Sequence, residues 1–466
     1  MSPDHQGPWW RHLTPYHWFV FAMASMAWLF DCLDQQIFNL FRQAALQNLM
    51  PEGTDGSVIK TYGGYATSIF VAGWATGGLI FGSLGDKYGR AKMLTLTVLL
   101  YSVFTGLSAL STGWLDFALY RFVTGLGVGG VFGLAVALVA DSLPEHSRTG
   151  ALGLLQALSA LGNIAAGLIS MWIGKMITSG GLNPATAWKM AFLVGAIPAF
   201  LCVFIQMRLK EPEKWVKAHA ASRAAGKGMG SYRSLLGEAR WRHPALLGML
   251  LCISGVIGLW GIGFFSFELV GDVISQSLRA KGTPDTEIAG AAAKWKGING
   301  IIQNTGAFFG MMSFAWLAQK VGRKPTFAIS YLGALAATWG FFSLFGGVKD
   351  VWMSGVMGFF QLALFGGFAI YLPELFPTRL RSTGTSFCYN VGRFLAASGP
   401  FTMGKVQAAL AQGAESPEAK LAAFRQTCQW MSLIFLVGLV ALAFLPETKG
   451  KPLPEDLDTG EEFDPA

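Results

Sequence analysis

The sequence predicts an all-α membrane protein of twelve transmembrane helices in two pseudo-symmetric six-helix bundles, and three observations carry that expectation. The composition is 52% hydrophobic and only 13% charged, about half the charged fraction of a soluble domain. Apolar runs long enough to cross ~30 Å of hydrocarbon occur twelve times. They lie near 17–41, 62–84, 93–111, 115–139, 149–172, 187–208, 244–268, 297–317, 326–346, 351–373, 383–405 and 425–445. The third observation is an internal repeat. The stretch GSLGDKYGRAK, Gly82 to Lys92, has a degenerate copy over Gln319 to Lys324, with Gly322 standing 233 residues after Gly89. The same offset relates Gly125 to Gly358, Gly133 to Gly366, Asp141 to Glu374, Pro144 to Pro377 and Arg148 to Arg381.

In chain order, the start MSPDHQGPWWRH is polar and aromatic, so no cleavable signal is expected and the first apolar run reads as a span. Residues 1–208 form the expected N-terminal bundle. The polar stretch 209–243, with Lys210, Lys214, Lys217, Arg223, Lys227, Arg233, Arg240 and Arg242, is the expected cytoplasmic linker. Residues 244–445 form the second bundle, and 446–466 an acidic tail. An even number of spans puts both termini on one side, and the loop cations make it the cytoplasm of a plasma (inner) membrane protein. The net charge of +8 is spent on alternate loops, which argues against a nucleic-acid partner. The five cysteines lie mostly within apolar runs without paired spacing, as packing residues rather than disulfides or a metal site. With six histidines and no ligand-spaced cluster or nucleophile motif, neither a metal, a cofactor nor an enzymatic activity is expected.

The turn at Gly82–Lys92 fits a chain that leaves a bilayer and promptly re-enters it. Gly82, Gly85 and Gly89 permit close approach and left-handed backbone, and Lys87, Arg90 and Lys92 hold the turn on the cytoplasmic side. Asp86 needs a partner among these cations. The pattern G-x-x-G-D-K-x-G-R-x-K resembles the signature loop between the second and third spans of major facilitator superfamily transporters. Gln319 replaces Asp86 in the copy, so the two gates should differ in strength. The paired segments Asp141–Arg148 and Pro373–Arg381, and the endings Glu211-Pro212-Glu213-Lys214 and Pro446-Glu447-Thr448-Lys449-Gly450, resemble the sugar-porter and metabolite:proton-symporter branches. That resemblance implies inter-helix salt bridges closing the cytoplasmic side through Asp86, Arg90, Asp141, Arg148, Glu374 and Arg381, with Gly82, Gly89 and Arg323 in the same gate set. The alternative role is static anchoring of topology.

Charges inside a span are functional candidates by default. Asp31 and Asp34 lie three residues apart in the first span and share a helical face. Burial and mutual repulsion suit such a pair to carry a proton. Arg121 opens the fourth span, Glu268 ends the seventh and Arg393 lies within the eleventh. The arginines suit an anionic substrate, as forks on a carboxylate. Asp34, Glu268 and Arg121 could instead snorkel to water. Asp-x-x-Asp with an arginine opening a glycine-rich fourth span resembles the aromatic-acid and sialic-acid type symporters, which implies that these residues serve transport. Asn163, Gln303, Asn304, Tyr389 and Asn390 are the polar side chains expected to line a cavity, although amides also bind helix to helix.

The resulting expectation is a monomeric secondary transporter that moves a small organic anion with protons by alternating access. A proton-coupled sugar or polyol transporter, supported by the Pro-Glu-Thr-Lys-Gly ending, and a non-transporting membrane sensor are the alternatives.

Overall fold

A computed structural model describes residues 8–11, 13–263, 265–396 and 416–455. The described residues contain helices and turns and no strand. The first half supplies α1 (Pro15–Leu49), α2 (Gly56–Tyr88), α3 (Arg90–Ser108), α4 (Trp114–Ser142), α5 (Glu145–Thr178) and α6 (Ala187–Gln206). Two short helices follow, α7 (Glu213–Ala224) and α8 (Tyr232–Gly237), within the polar stretch the sequence assigned to the linker. Next come α9 (Ala239–Val256), a π-helical turn (Ile257–Gly263), α10 (Phe265–Ala280), α11 (Asp285–Lys320), α12 (Arg323–Leu344), α13 (Trp352–Tyr371) and α14 (Arg381–Ala396). The last helices are α15 (Pro417–Ser432) and α16 (Ile434–Ala443). Part of the expected eleventh span, 397–405, and the tail from 456 lie outside the described residues.

Among the described residues, nine helical segments are long and apolar enough to cross a membrane. They correspond to the expected spans except the first, eighth and eleventh. Those three are α1, α11 and α14, the helices that carry Asp31 and Asp34, Gln303 and Asn304, and Asn390 and Arg393. In α1 and α11 the polar groups placed inside the span lower its mean hydropathy, so the residues that make these helices candidates for function also make them less apolar; α14 is described over 16 residues, short of a full span.

Local sequence explains where the helices begin and end. Pro15 opens α1 behind Thr14, whose hydroxyl accepts from His17 N at 3.2 Å while the His17 ring accepts from Thr14 N at 3.3 Å. That reciprocal cap satisfies two otherwise orphaned donors. Gly89 separates α2 from α3 at φ +115° and Gly322 separates α11 from α12 at φ +110°. Both are left-handed conformations that disfavour any other residue.

The chain divides into two compact units. One comprises Met1–Leu246, Ala369–Phe394 and Gly450–Ala466; the other comprises Leu247–Phe368 and Leu395–Lys449. Within the first, the glycine stripe of α4 lets it approach α2 closely. A Cβ on Gly125 would stand 2.9 Å from Trp74 N, and one on Gly129 would overlap the Trp74 backbone. Small faces of this kind are how helices pack in lipid, where hydrophobicity alone offers no drive. The second unit closes around buried Leu269, Val270, Phe341, Phe342, Met357 and Phe424. Leu119, Leu168, Phe204, Phe309 and Trp316 are exposed, as expected of helices whose outer faces meet lipid rather than water.

Candidate functional site

Two buried polar clusters stand in the first unit. The deeper one begins with α1, where Asp31 and Asp34 are both buried. Asp34 is fully committed. Its Oδ1 accepts from Thr105 Oγ1 at 2.6 Å, and its Oδ2 lies 3.5 Å from Arg121 Nη1. Arg121 is itself buried and donates from Nε to Ser108 Oγ at 3.0 Å. Its Nη2 donates to Thr105 Oγ1 at 3.2 Å and to Thr124 Oγ1 at 3.0 Å. The guanidinium lies 5.0 Å from the ring centroid of Phe192 and 5.6 Å from that of Phe38. Arg121 therefore serves Asp34 as a counter-ion, and no snorkelling to water is seen for either. Breaking such a buried pair from one side costs about 3–5 kcal/mol.

Asp31 is placed differently. Its Oδ1 accepts from Gln35 Nε2 at 3.2 Å, whereas its buried Oδ2 has no hydrogen-bond partner. Arg393 is close enough to act on it electrostatically. The Arg393 guanidinium lies over the rings of Trp74, at 4.0 Å, and Tyr389, at 4.1 Å. Its Nη1 donates to Tyr389 O at 2.8 Å and Asn390 Oδ1 at 3.1 Å. Tyr389 stacks in turn on Phe132 at 3.7 Å between centroids. Asn390 is buried and donates to Ser386 O at 2.9 Å, in a space that a Cβ on Gly78 would fill.

The sequence-predicted residues Asp31, Tyr389, Asn390 and Arg393 are thus brought together. Asn163 is half-buried on α5. Gln303 and Asn304 belong to the second unit. Gln303 is buried, and Asn304 donates to Gly300 O at 2.9 Å, a bond within its own helix. Beside Gln303 the π-helical turn approaches Gln361. A Cβ on Gly263 would stand 2.8 Å from Gln361 Oε1 and 3.6 Å from Gln303 Nε2. Single π turns in otherwise α-helical segments often mark functional positions.

The second cluster lies where α2 meets α3. Arg90 is buried and donates from Nη2 to Asp86 Oδ1 at 3.2 Å and to Thr378 O at 2.7 Å. Its Nη1 donates to Ala137 O at 3.2 Å and pairs with Asp141. Asp141 also pairs with Arg381, whose Nε donates to Pro373 O at 3.1 Å and Phe376 O at 3.2 Å. Asp86 accepts from Ser382 N at 3.2 Å, Thr383 N at 2.8 Å and Thr383 Oγ1 at 2.7 Å. It caps the first turn of α14, where a carboxylate meets exposed N–H groups and the positive end of the helix dipole.

Gly82 and Gly133 flank Ser386 so closely that a Cβ on either would overlap it. Arg148 sits near the cluster with Nε on Ala140 O at 2.9 Å, and Glu374 is half-buried in the turn after α13. Arg323, in the second unit, donates to Ala318 O at 3.0 Å. With Gln319 in place of an aspartate there, the second copy cannot repeat the Asp86–Arg90 pair.

A clamp the sequence did not specify holds both turns. Glu211 accepts from Arg90 N at 2.7 Å, Ala91 N at 3.2 Å and Lys92 N at 3.1 Å. In the second unit Glu447 accepts from Arg323 N and Lys324 N, each at 2.9 Å, and from Thr448 N and Lys449 N. Burial alone would raise the Glu447 pKa; four backbone donors outweigh it and hold the carboxyl below its ordinary value. The linker docks on the same region. Trp215 Nε1 donates to Asp86 O at 2.9 Å, and Gly230 N donates to Arg379 O at 2.9 Å.

A profile of the Major Facilitator Superfamily matches residues 24–400. The chain belongs to that superfamily. It is an integral membrane protein and a transporter rather than an enzyme. It is 25% identical over 468 residues to the niacin transporter NiaP of Acinetobacter baylyi, covering 94% of this chain and 96% of that one. With the cis,cis-muconate transport protein of the same organism it shares 26% identity over 391 residues, covering 83% and 86%. Among solved structures, the proton:xylose symporter XylE superposes with a TM-score of 0.70 at 19% identity, over 94% of this chain and 98% of that one. That likeness concerns the fold. The superfamily fold accounts for the twelve spans and for the repeat between the halves.

Proposed function

We propose that this transporter is a proton symporter for a small organic anion, a carboxylate metabolite, working by alternating access as a monomer in the plasma (inner) membrane with both termini cytoplasmic. The observation that carries the reading is the contrast between the two aspartates. Asp34 is neutralised by Arg121 and fixed by the Thr105 hydroxyl. Asp31 keeps one buried oxygen without a hydrogen-bond partner, beside an arginine held between two aromatic rings. A proton placed on that oxygen breaks no existing bond. Protonation of Asp31 would release the Arg393 charge from a carboxylate it already feels, making it available to a substrate carboxylate. Proton and anion would then load together. Relatives named for niacin and cis,cis-muconate make organic acids the first class to test.

In this reading the Asp86–Arg90–Asp141–Arg381 cluster is the cytoplasmic gate, and the Glu211 and Glu447 clamps keep its turns in shape. The cations of 87–92 and of the stretch 209–243 support a cytoplasmic position for that side.

The test is uptake into proteoliposomes that enclose a pH-sensitive dye. An organic acid that acidifies the interior as it accumulates supports the reading, and the Asp31→Asn variant should bind that acid without moving protons. Unchanged proton-driven accumulation by Asp31→Asn would overturn the assignment. A neutral sugar or polyol is the second reading, favoured by Gln361, whose buried Oε1 has no hydrogen-bond partner while its Nε2 donates to Thr338 Oγ1 at 2.8 Å. Acidification with sugars alone would establish it.

A further inference from the structure

Beside the Asp141–Arg381 pair the first unit holds a cavity of about 440 Å³. One wall is a single face of α7, where Lys214, Lys217, Ala218, Ala221 and Ser222 recur at helical spacing. Arg148 and Arg379 add two more cations, against the acids Glu145 and Glu455. The side chains are unequally committed. Glu455 accepts from Thr378 Oγ1 at 2.8 Å, and Arg379 is paired with Glu238 at 2.8 Å. Lys214 and Lys217 make no hydrogen bond or ion pair among the described residues. Burial and the neighbouring positive charges of Arg148 and Arg381 hold the Lys214 ammonium below its ordinary pKa, with Glu455 and Glu145 opposing in part. Pro452 and Leu453 complete the lining with Ala218 and Ala221 as an apolar floor.

An excess of cations, two of them uncommitted, beside an apolar floor describes a receptor for an anion that also carries an organic part. The volume falls within the range of about 300–1,000 Å³ typical of small-molecule sites. We propose that this cavity binds a phosphate-bearing anion, with its phosphate on Lys214 and Lys217 and its organic remainder on Ala218, Ala221, Pro452 and Leu453. The site joins α5, α7, the 378–380 turn and the segment 450–455, and the last two of these hold Arg381 through Thr378 and Pro454. A ligand that bridges them favours the arrangement in which they meet, so the anion stabilises the salt-bridged cluster. This holds whatever the transported substrate is.

The test is calorimetric titration of the purified full-length protein in neutral detergent with inorganic pyrophosphate. Saturable binding and a raised unfolding temperature are expected. The Lys214→Ala/Lys217→Ala double variant should bind about tenfold more weakly or worse, with its ligand-free unfolding temperature unchanged. Lys227→Ala, outside the cavity lining, should bind as the native chain does. Nanodiscs separate two sources of the phosphate. Equal pyrophosphate binding in phosphatidylcholine discs with and without phosphatidylglycerol identifies a soluble phosphate ester. Lysine-dependent loss of that binding when phosphatidylglycerol is present identifies a lipid headgroup. The proposal falls if no saturable binding occurs, or if the double variant binds as the native chain does. It also falls if binding appears only in a chain ended after Glu455, because the acids beyond that residue would then occupy the lysines.

Discussion

Asp86→Ala gives the most direct reading of what holds the rim cluster together. The carboxylate accepts two backbone N–H groups and one hydroxyl from the start of α14, and one guanidinium N–H from Arg90. Alanine removes all four acceptor contacts. Arg90 keeps Asp141, Ala137 and Thr378, so the loss falls chiefly on Ser382 and Thr383. A buried donor left unsatisfied costs about 1–3 kcal/mol, and water entering the vacated space recovers part of that. Three donors at the low end give about 3 kcal/mol, which at 1.4 kcal/mol per decade is on the order of a hundredfold in the opening equilibrium. Hydrogen exchange measured by mass spectrometry reads it. The amides of Ser386 to Asn390 report best, because Asp86 does not touch them and faster exchange there means that α14 opens. They should exchange on the order of a hundredfold faster in Asp86→Ala, and by an intermediate factor in Asp86→Asn. Exchange within twofold of the native rate would show that the cap and its ion pair contribute nothing to holding α14, and would return the cluster to a role in static topology.

Three further outcomes are expected. Arg393→Lys keeps the charge and loses the planar contact with Trp74 and Tyr389, so substrate affinity in a binding titration should fall about tenfold while proton coupling persists. Thr105→Val should destabilise the detergent-solubilised protein by about 1–3 kcal/mol, read as a lowered unfolding temperature, because Asp34 and Arg121 both lose a hydroxyl they share. For Glu447 the sign follows from its depressed pKa. Its stabilisation is fully present above the ordinary carboxyl value of about 4.3 and is lost as pH falls through the lower folded value. Amides of Arg323 and Lys324 should therefore stay protected at neutral pH and lose protection in acid, a step that Glu447→Gln should remove.

Much of the architecture was legible because lipid imposes a length on each span and the duplicated turn imposes a register. Gly89 and Gly322 were readable as paired turns, and both adopt positive φ. The clamps were harder to see. Glu211 and Glu447 do the same work on those glycine turns; the like endings of the two halves contain both, yet they stand 236 residues apart rather than 233, and nothing in the residues showed that each carboxylate caps a turn. Thr105, Ser108 and Thr124 were also missed. A hydroxyl in a span commonly bonds its own helix, as Thr124 does to Tyr120 O at 2.8 Å, and nothing in one sequence shows that three of them converge on one guanidinium. Trp74 and Phe132 carry no charge that would single them out in a sequence, and their stacking with Arg393 and Tyr389 is what draws them into the cluster. The π turn at Ile257–Gly263 leaves no mark beyond a few glycines.

The two aspartates show why spacing alone stopped short of a mechanism. At three residues apart they share a face and are equivalent candidates for a proton. Their inequality comes from other helices. Asp34 meets α3 and α4, which supply a hydroxyl and a guanidinium, while Asp31 meets Gln35 of its own helix and the more distant charge of Arg393. Exchanging those surroundings should exchange the roles. If Arg121→Gln removes the counter-ion, Asp34 becomes the buried carboxylate without a fixed cation, and proton binding should then depend on both positions. Proton uptake by an Arg121→Gln protein that still requires Asp31 alone would mean that something other than counter-ion placement distinguishes the pair.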